Sequence, residues 1–459
     1  MEKSCQALFS RESNDEHPLC RESLPADLTE RKHLSTRNVK ERKVLRVLKR
    51  SFAILGPGLI TGAADDDPSG ISTYSVAGAA YGYATLWIAL LTFPLMVAIQ
   101  LMCARLAMVT GRGLGAAVRI HFPRWVVWGA CSILIVANVI NIGADLGGMA
   151  EATQLITGIQ SHIWIPIYAL GILGLLFWSS YQLIARFFKW MTLVLFAYVL
   201  ASFFAHVPWR HALAVTFVPH LEWSRGFSAV LVAILGTTIS PYLFFWQAAE
   251  EVEEERTKHP TLAERKGTTG RELNSARADT ITGMFFSNLI MYFIILTTAA
   301  TLHANEQTHI TTAREAAEAL RPLAGNGAYL LFTLGLIGTG MLGVPVLVGS
   351  CAYAVTEGAA WRGSMSDKPR SARKFYAVMG VDMVLGTALN YFGFNAVKML
   401  FWSAVINGLL APPLILLVIL LTSRQKVMGK HASPPLLKYL GWATFAVMTA
   451  AAVGMLVTS

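Results

Sequence analysis

Gly56-Pro57-Gly58-Leu59-Ile60-Thr61-Gly62-Ala63-Ala64-Asp65-Asp66-Asp67-Pro68-Ser69-Gly70 is the stretch on which the reading of this chain turns. An apolar run that starts near Phe52 reaches membrane depth, meets three carboxylates in succession, and resumes from Ile71 to Gly82. Pro68 lacks an N–H and pushes Asp67 out of the helical region, and Gly70 loosens the backbone behind it. The pattern predicts a helix that breaks at mid-membrane and exposes free carbonyls beside acidic side chains. Hydrocarbon admits such a break only where it lines a cavity or is buried in protein. An ionisable residue at that depth marks a functional site by default.

The composition agrees with a membrane setting. Of 459 residues, 54% are hydrophobic and 14% charged, against about 25% charged in soluble domains. The net charge of +10 is concentrated in the N-terminal tail and in alternate loops. That distribution is a topology signal, so the expected surroundings are a lipid bilayer, with no nucleic-acid partner and no obligate protein partner. Cys5, Cys20, Cys103, Cys131 and Cys351 show no metal-type spacing. Residues 1–50 read as a disordered basic cytosolic tail whose end, Arg42-Lys43 through Arg46 to Lys49-Arg50, lies on anionic headgroups.

A crossing takes roughly 20 apolar residues. Eleven spans are predicted: about 52–82 (broken), 84–109, 125–153, 162–182, 187–206, 227–250 (broken), 280–302, 327–355, 375–392, 395–423 and 437–457. With the N-terminus cytoplasmic, the inside loops collect Arg112, Arg119 and Arg124, then Arg186 and Lys189, then Arg256, Lys258, Arg265, Lys266, Arg271 and Arg277. Two more basic clusters follow, at Arg362–Lys374 and Arg424–Lys438, while the outside loops hold only Arg210, Arg225, Arg314 and Arg321. The asymmetry places the C-terminus outside; the expected location is a bacterial inner (plasma) membrane.

The sixth span repeats the interruption of the first: Thr237-Thr238-Ile239-Ser240-Pro241-Tyr242 divides an apolar run. Two proline breaks, Pro68 and Pro241, lie about 170 residues apart, each in the first span of a five-span half. This is the pattern of an inverted-repeat secondary transporter with its site at the repeat interface. The expected organisation is therefore a first five-helix repeat over 51–206, a second over 227–423, and an additional helix at 437–457.

The breaks carry the candidate chemistry. Asp67, Asp66, the opened backbone as far as Gly70, the Thr237 carbonyl and the Ser240 hydroxyl would form an anionic all-oxygen cage suited to a hard divalent cation. Asn138, Asn141 and Asp145 are spaced three and four apart and share one helix face; they are the candidates for a proton or coupling-ion pathway. The run Glu250–Glu255 reads as a solvated helix end facing the basic loop behind it. Neither His-Glu-x-x-His, Gly-x-Ser-x-Gly nor a phosphate-cradling glycine loop occurs, so no catalytic residues, no enzyme activity and no cofactor are expected. A transported divalent cation is the expected substrate, with H⁺ or Na⁺ coupling open. The residues also leave open an ion-coupled carrier of a small organic solute and a non-transporting sensor.

Several motifs resemble the NRAMP (natural resistance-associated macrophage protein) family of divalent-metal transporters. They are Gly56-Pro-Gly58, Asp67-Pro68, Ala77-Gly-Ala-Ala-Tyr-Gly-Tyr83, Ala104-Arg105 through Gly111-Arg112, Ala144-Asp145-Leu146, Ile239-Ser240-Pro241, Asp279-Thr280 and Glu357-Gly358. The resemblance implies an all-α, leucine-transporter-like fold, alternating access and proton-driven metal uptake. Asp67, Asp145 and the Thr237 carbonyl match the family's functional positions. Elsewhere the chain departs from them: the family's Asn ligand is Gly70, its Met is Ser240, its two His are Tyr242 and Gln247, an acid is Gly148, and a tenth-span Gln is Ala404. The departures imply a divergent branch with hard-cation, Mg²⁺-like selectivity and weak or absent proton co-transport.

Overall fold

Capping and proline signals divide the described residues into fifteen principal helices, and two of them are the halves of the predicted first span. A computed structural model of the chain describes residues 56–178, 193–258 and 268–458. The basic tail 1–50, Arg186, Lys189, Arg265, Lys266 and the start of the fifth predicted span lie outside the described residues. Among those described, every regular element is helical: α1 Pro57–Asp65, α2 Pro68–Tyr81, α3 Trp87–Thr110, α4 Leu114–His121, α5 Arg124–Thr157, α6 Ser161–Trp178, α7 Phe196–Phe204 and α8 Trp209–Thr216. There follow α9 Arg225–Thr238, α10 Pro241–Lys258, α11 Gly270–Thr301, α12 Ala328–Gly358, α13 Arg373–Leu389, α14 Ala396–Ser423 and α15 Pro435–Thr458. Short helical turns fill the α11–α12 and α14–α15 links.

Local signals place the helix ends. Thr269 and Glu272 make reciprocal side-chain bonds to each other's backbone and open α11, and Ser224 and Asn395 cap α9 and α14. Helices α3 and α5 stop at Gly111 and Gly158, whose φ of 64° and 71° is the left-handed conformation glycine adopts freely.

Nine helical runs among the described residues are long and apolar enough to cross a membrane. The predicted first span is covered by α1 and α2, each too short alone, and the fifth is described only from Leu193, through the short apolar helix ending at Phe204. Burial separates centre from periphery. The α9–α10 run is 94% buried in its apolar window, against 22% for α6 and 28% for α15.

Packing partners exchange in pairs between the two halves of the chain. The first broken helix, α1 and α2, lies on α11, and the second, α9 and α10, lies on α3. Likewise α5 packs on α13 while α12 packs on α6, and α5 and α12 pack on each other. Swapping the halves preserves these contacts, as an internal two-fold relation requires.

The first half of each broken helix approaches its neighbour most closely at glycines. A Cβ at Gly62 would come within 2.4 Å of the Gly283 backbone in α11, and one at Gly236 within 2.1 Å of the Ala404 carbonyl in α14. With no hydrophobic drive between helices in lipid, such close backbone approach is what small residues contribute. The Asp279 carboxylate accepts the Gly58 amide at 2.7 Å and fixes the start of α1 against the same helix. Overpacking of this kind costs about 1–3 kcal/mol. Gly62→Val is therefore expected to lower the thermal midpoint of the detergent-solubilised protein, whereas Gly171→Val, with nothing within 4 Å, leaves it in place. Equal melting of the two variants would refute the seam.

Candidate functional site

The first break is built by one side chain. Helix α1 ends at Asp65, Asp66 leaves helical geometry at φ −84° and ψ 52°, and Asp67 is extended at φ −70° and ψ 173°. Asp67 is the N-cap of α2, with Pro68 following where no N–H is needed. Its Oδ1 accepts the Gly70 amide at 2.8 Å and the Ser69 hydroxyl at 2.7 Å. Its Oδ2 reaches outward to Asn141 Nδ2 of α5 at 3.1 Å and to the Tyr242 hydroxyl of α10 at 3.2 Å. The same phenol stands 3.1 Å from the Ala64 carbonyl at the end of α1, so its single proton is shared between the two acceptors.

The second break is capped from the other side. Ile239 leaves the helix at φ −112° and ψ 57°. The Ser240 hydroxyl turns back to the Gly236 and Thr237 carbonyls, at 2.8 and 2.7 Å. The Thr237 carbonyl and Ser240 hydroxyl, expected as two separate ligands, are thus bonded to each other, and each keeps lone pairs rather than a free proton or an open carbonyl. The space beside Gly70 is occupied. A Cβ there would lie 3.2 Å from Thr237 Oγ1 and 3.4 Å from both the Asp65 carbonyl and the Tyr74 ring. The two breaks meet at that point.

The three consecutive acids do not form one cage. Asp66, expected beside Asp67, turns with Asp65 towards α11, where Ser287 Oγ stands 2.5 Å from Asp65 Oδ2 and 3.4 Å from Asp66 Oδ1. The physical reason is the backbone: successive residues across a helix end point to different sides, and only Asp67 belongs to α2. On α5, Asn138, Asn141 and Asp145 are all fully buried. Asn138 ties α5 to α12 through the Leu347 carbonyl and Ser350 hydroxyl, both at 2.8 Å. Asp145 faces the Ser69 amide without closing a hydrogen bond of good geometry, and both its oxygens lack a partner.

Among the described residues no basic side chain pairs with Asp65, Asp66, Asp67 or Asp145. An unpaired buried carboxylate costs several kcal/mol in its charged form, a cost that either a proton or a bound cation removes. No three His, Cys, Asp or Glu side chains converge among the described residues; a cation at Asp67 would be completed by hydroxyl, amide and carbonyl oxygens. Asn141 Oδ1 and Thr237 Oγ1 are buried there without partners.

Positions where the resemblance led to expect other ligands are occupied by structure. Gln247 Nε2 donates to Glu251 at 2.9 Å, and a Cβ at Gly148 would lie 2.8 Å from Leu400. The acidic run also departs from the expected solvated end. Glu251 is buried, and Glu253 accepts the Tyr353 and Ser366 hydroxyls. Tyr242 and Ser287 are the contributors that sequence reasoning missed as donors; the position of Tyr242 directly after a break proline was the available signal, and Ser287 had none.

Two broken helices that meet at a buried carboxylate, inside a bundle whose halves exchange contacts, define a polytopic membrane protein of leucine-transporter-like fold. The pattern of the family described as natural resistance-associated macrophage protein-like matches residues 58–458, and the chain belongs to this Nramp family. A divalent metal cation transporter MntH of Deinococcus radiodurans is 27% identical over 416 residues, covering 88% of this chain and 89% of the relative. One of the same name from Erwinia tasmaniensis is 28% identical over 319 residues, covering 67% and 73%. Among solved structures, the Eremococcus coleocola manganese transporter in complex with an aromatic bis-isothiourea compound aligns at a TM-score of 0.68 and 18% identity, covering 88% of this chain and 85% of that one. MhsT in complex with L-phenylalanine aligns at 0.56 and 12%, covering 88% and 97%; both likenesses concern the fold.

Because Thr237 Oγ1 and Tyr74 crowd Gly70, Gly70→Asn is expected to weaken Mn²⁺ binding to the purified protein, and pairing it with Thr237→Ala is expected to restore part of the loss. Calorimetric titration of the three proteins decides it: tighter binding by the single variant would show that the space beside Gly70 is open.

Proposed function

We propose that this chain is a secondary transporter that moves a divalent metal cation across a bacterial plasma membrane by alternating access, with Asp67 as its central ligand. The observation that carries the reading is the position of Asp67 Oδ2, held between α5 and α10 at the point where both helix breaks meet. Names borne by relatives matched over most of their length support the cargo. An arriving cation takes the place of the protons that Asn141 and Tyr242 offer to Oδ2. Asn141 then turns its carbonyl oxygen inward, Tyr242 keeps its proton on the Ala64 carbonyl, and α1, α5 and α10 become joined through the ion. Shortening one set of contacts while loosening another is how a ligand biases a two-state element. Asp145, beside the first turn of α2, is assigned to the coupling path together with Asn141, and Asn138 lies one turn further along the same face. The N-terminus is assigned to the cytoplasm by the basic loops.

Selectivity follows from donor type. The oxygen donors at Asp67, Asn141 and Thr237 suit hard cations, which thioether or imidazole ligands would disfavour relative to softer metals. A thioether does approach the second break, Met291 Sδ, but it receives the Thr238 hydroxyl at 3.6 Å.

Asp67→Asn is expected to abolish Mn²⁺ flux into proteoliposomes while the protein elutes as the parent does on size exclusion; flux within about a factor of two of the parent would remove Asp67 from the cargo site. Mg²⁺ in excess is expected to compete with Mn²⁺ flux in the parent. Flux that ignores a large excess of Mg²⁺ would contradict the hard-cation reading.

A further inference from the structure

Helix α3 packs on both α11 and α15 and keeps one face uncovered between them. Leu90, Phe93, Val97, Leu101 and Arg105 are spaced three or four apart and share that face. Leu90 is 47% exposed, and Val97 and Arg105 are half-buried. The contacts on either side come from other positions of α3. Thr92 bonds Asn288 of α11 at 2.9 Å, while Met102 lies against Gly441 and the Leu95 carbonyl accepts the Thr444 hydroxyl, both of α15. The uncovered face is an apolar stripe that ends in a cation.

A second cation stands beside it. Asn288 bonds the Ala89 carbonyl and the Phe285 ring meets Phe93 at 6.1 Å, so α3 and α11 run antiparallel. From the ring pair, Arg105 lies about three turns along α3 and Arg277 about two turns back along α11, close enough for their like charges to act on each other. Neither is paired with an acid among the described residues. Of the five N–H groups of Arg105, one goes to the His431 carbonyl at 2.9 Å, and Nε is buried without a partner. Arg277 is exposed and makes no hydrogen bond among the described residues. Two neighbouring guanidinium groups that repel each other and lack acceptors are the arrangement a phosphate group relieves.

We infer that Arg105 and Arg277 hold the phosphate of an anionic phospholipid whose acyl chain lies along Phe93, Val97 and Leu101, between α11 and α15. The stripe runs from the two cations towards the membrane centre, a course that an acyl chain follows and a free anion does not. A zwitterionic lipid brings its own ammonium to the phosphate, so the pair favours a headgroup of net negative charge. The depth agrees: Arg105 stands about two turns before the end of α3 at Thr110, on the side where the basic loops collect and the lipid phosphates lie. The lipid site is separate from Asp67 and does not rest on the cargo proposed there.

The test is lipid retention by the purified full chain, delipidated in a neutral detergent and followed by native mass spectrometry. Dioleoylphosphatidylglycerol, dioleoylphosphatidylcholine and glycerol 3-phosphate are titrated separately. The parent is expected to retain one phosphatidylglycerol at concentrations where neither of the other two binds. Arg277→Gln is expected to weaken that binding by about tenfold and to bring it level with phosphatidylcholine, whereas Arg370→Gln, an exposed cation of the α12–α13 loop, leaves it unchanged. Arg105→Gln is expected to repeat the loss. Because Arg105 also holds the His431 carbonyl, Arg277→Gln decides the matter if the Arg105 variant does not remain monodisperse. Equal retention of the two lipids by the parent, unchanged phosphatidylglycerol binding in Arg277→Gln, or an equal loss in Arg370→Gln would overturn the site. Glycerol 3-phosphate bound as tightly as the lipid would overturn the acyl-chain groove and leave a soluble-anion site in its place. None of these readouts involves Mn²⁺ flux, so this inference and the transport reading fail separately.

Discussion

The Asp67 carboxylate replaces, at the centre of the bundle, the water that an opened backbone would otherwise need. One oxygen closes the first turn of α2 through Gly70 and Ser69, and the other is held by Asn141 of α5 and Tyr242 of α10. Hydrocarbon leaves no unsatisfied backbone group without penalty, and the break in the first helix exists because this side chain meets that condition. The same residue that permits the break also binds three elements to it. Structure and site therefore have one origin.

The second break solves the same problem with the opposite polarity. There, Ser240 returns its proton to the last carbonyls of α9, so the end of the first half is satisfied rather than the start of the second. An acid caps one break and a hydroxyl the other; Asp65, Asp66 and Asp67 are buried at the first break and Asp145 on α5. Among the described residues no basic side chain pairs with these acids.

Packing differs between the frame and the broken helices. Helices α5 and α12 pack on each other and are tied through Asn138 to Leu347 and Ser350, a frame that hydrogen bonds hold in register. Helices α1 and α9 instead touch their neighbours α11 and α14 along glycine seams. At these glycines the backbones approach directly, while Val232 and Ala233 of α9 pack on Ala404 and Val405 of α14 beside them. The Asp279 cap on the first turn of α1 holds that half in the arrangement seen here.

Much of this architecture was legible in the chain itself. Pro68 and Pro241 mark their breaks because proline has no N–H to donate, and Asp67 before Pro68 is the capping residue such a start prefers. The spacing of Asn138, Asn141 and Asp145 placed them on one helix face, since helical period is a local property. What the chain could not disclose was direction across helices. That Asp66 turns to Ser287 while Asp67 turns to Asn141 and Tyr242 depends on how α1 lies on α11 and α10 and how α2 lies on α5, and residues 221, 74 and 175 positions apart meet only after folding. The same holds for Ser240, whose hydroxyl turned to its own helix, and for Gly70, whose open side is filled by Thr237 from the other half of the chain. Sequence by itself determined where the helices must break and which charges must be buried there, because backbone chemistry and hydropathy are local. Only the tertiary structure decided which carboxylate faces which neighbour, because that is set by packing between distant segments.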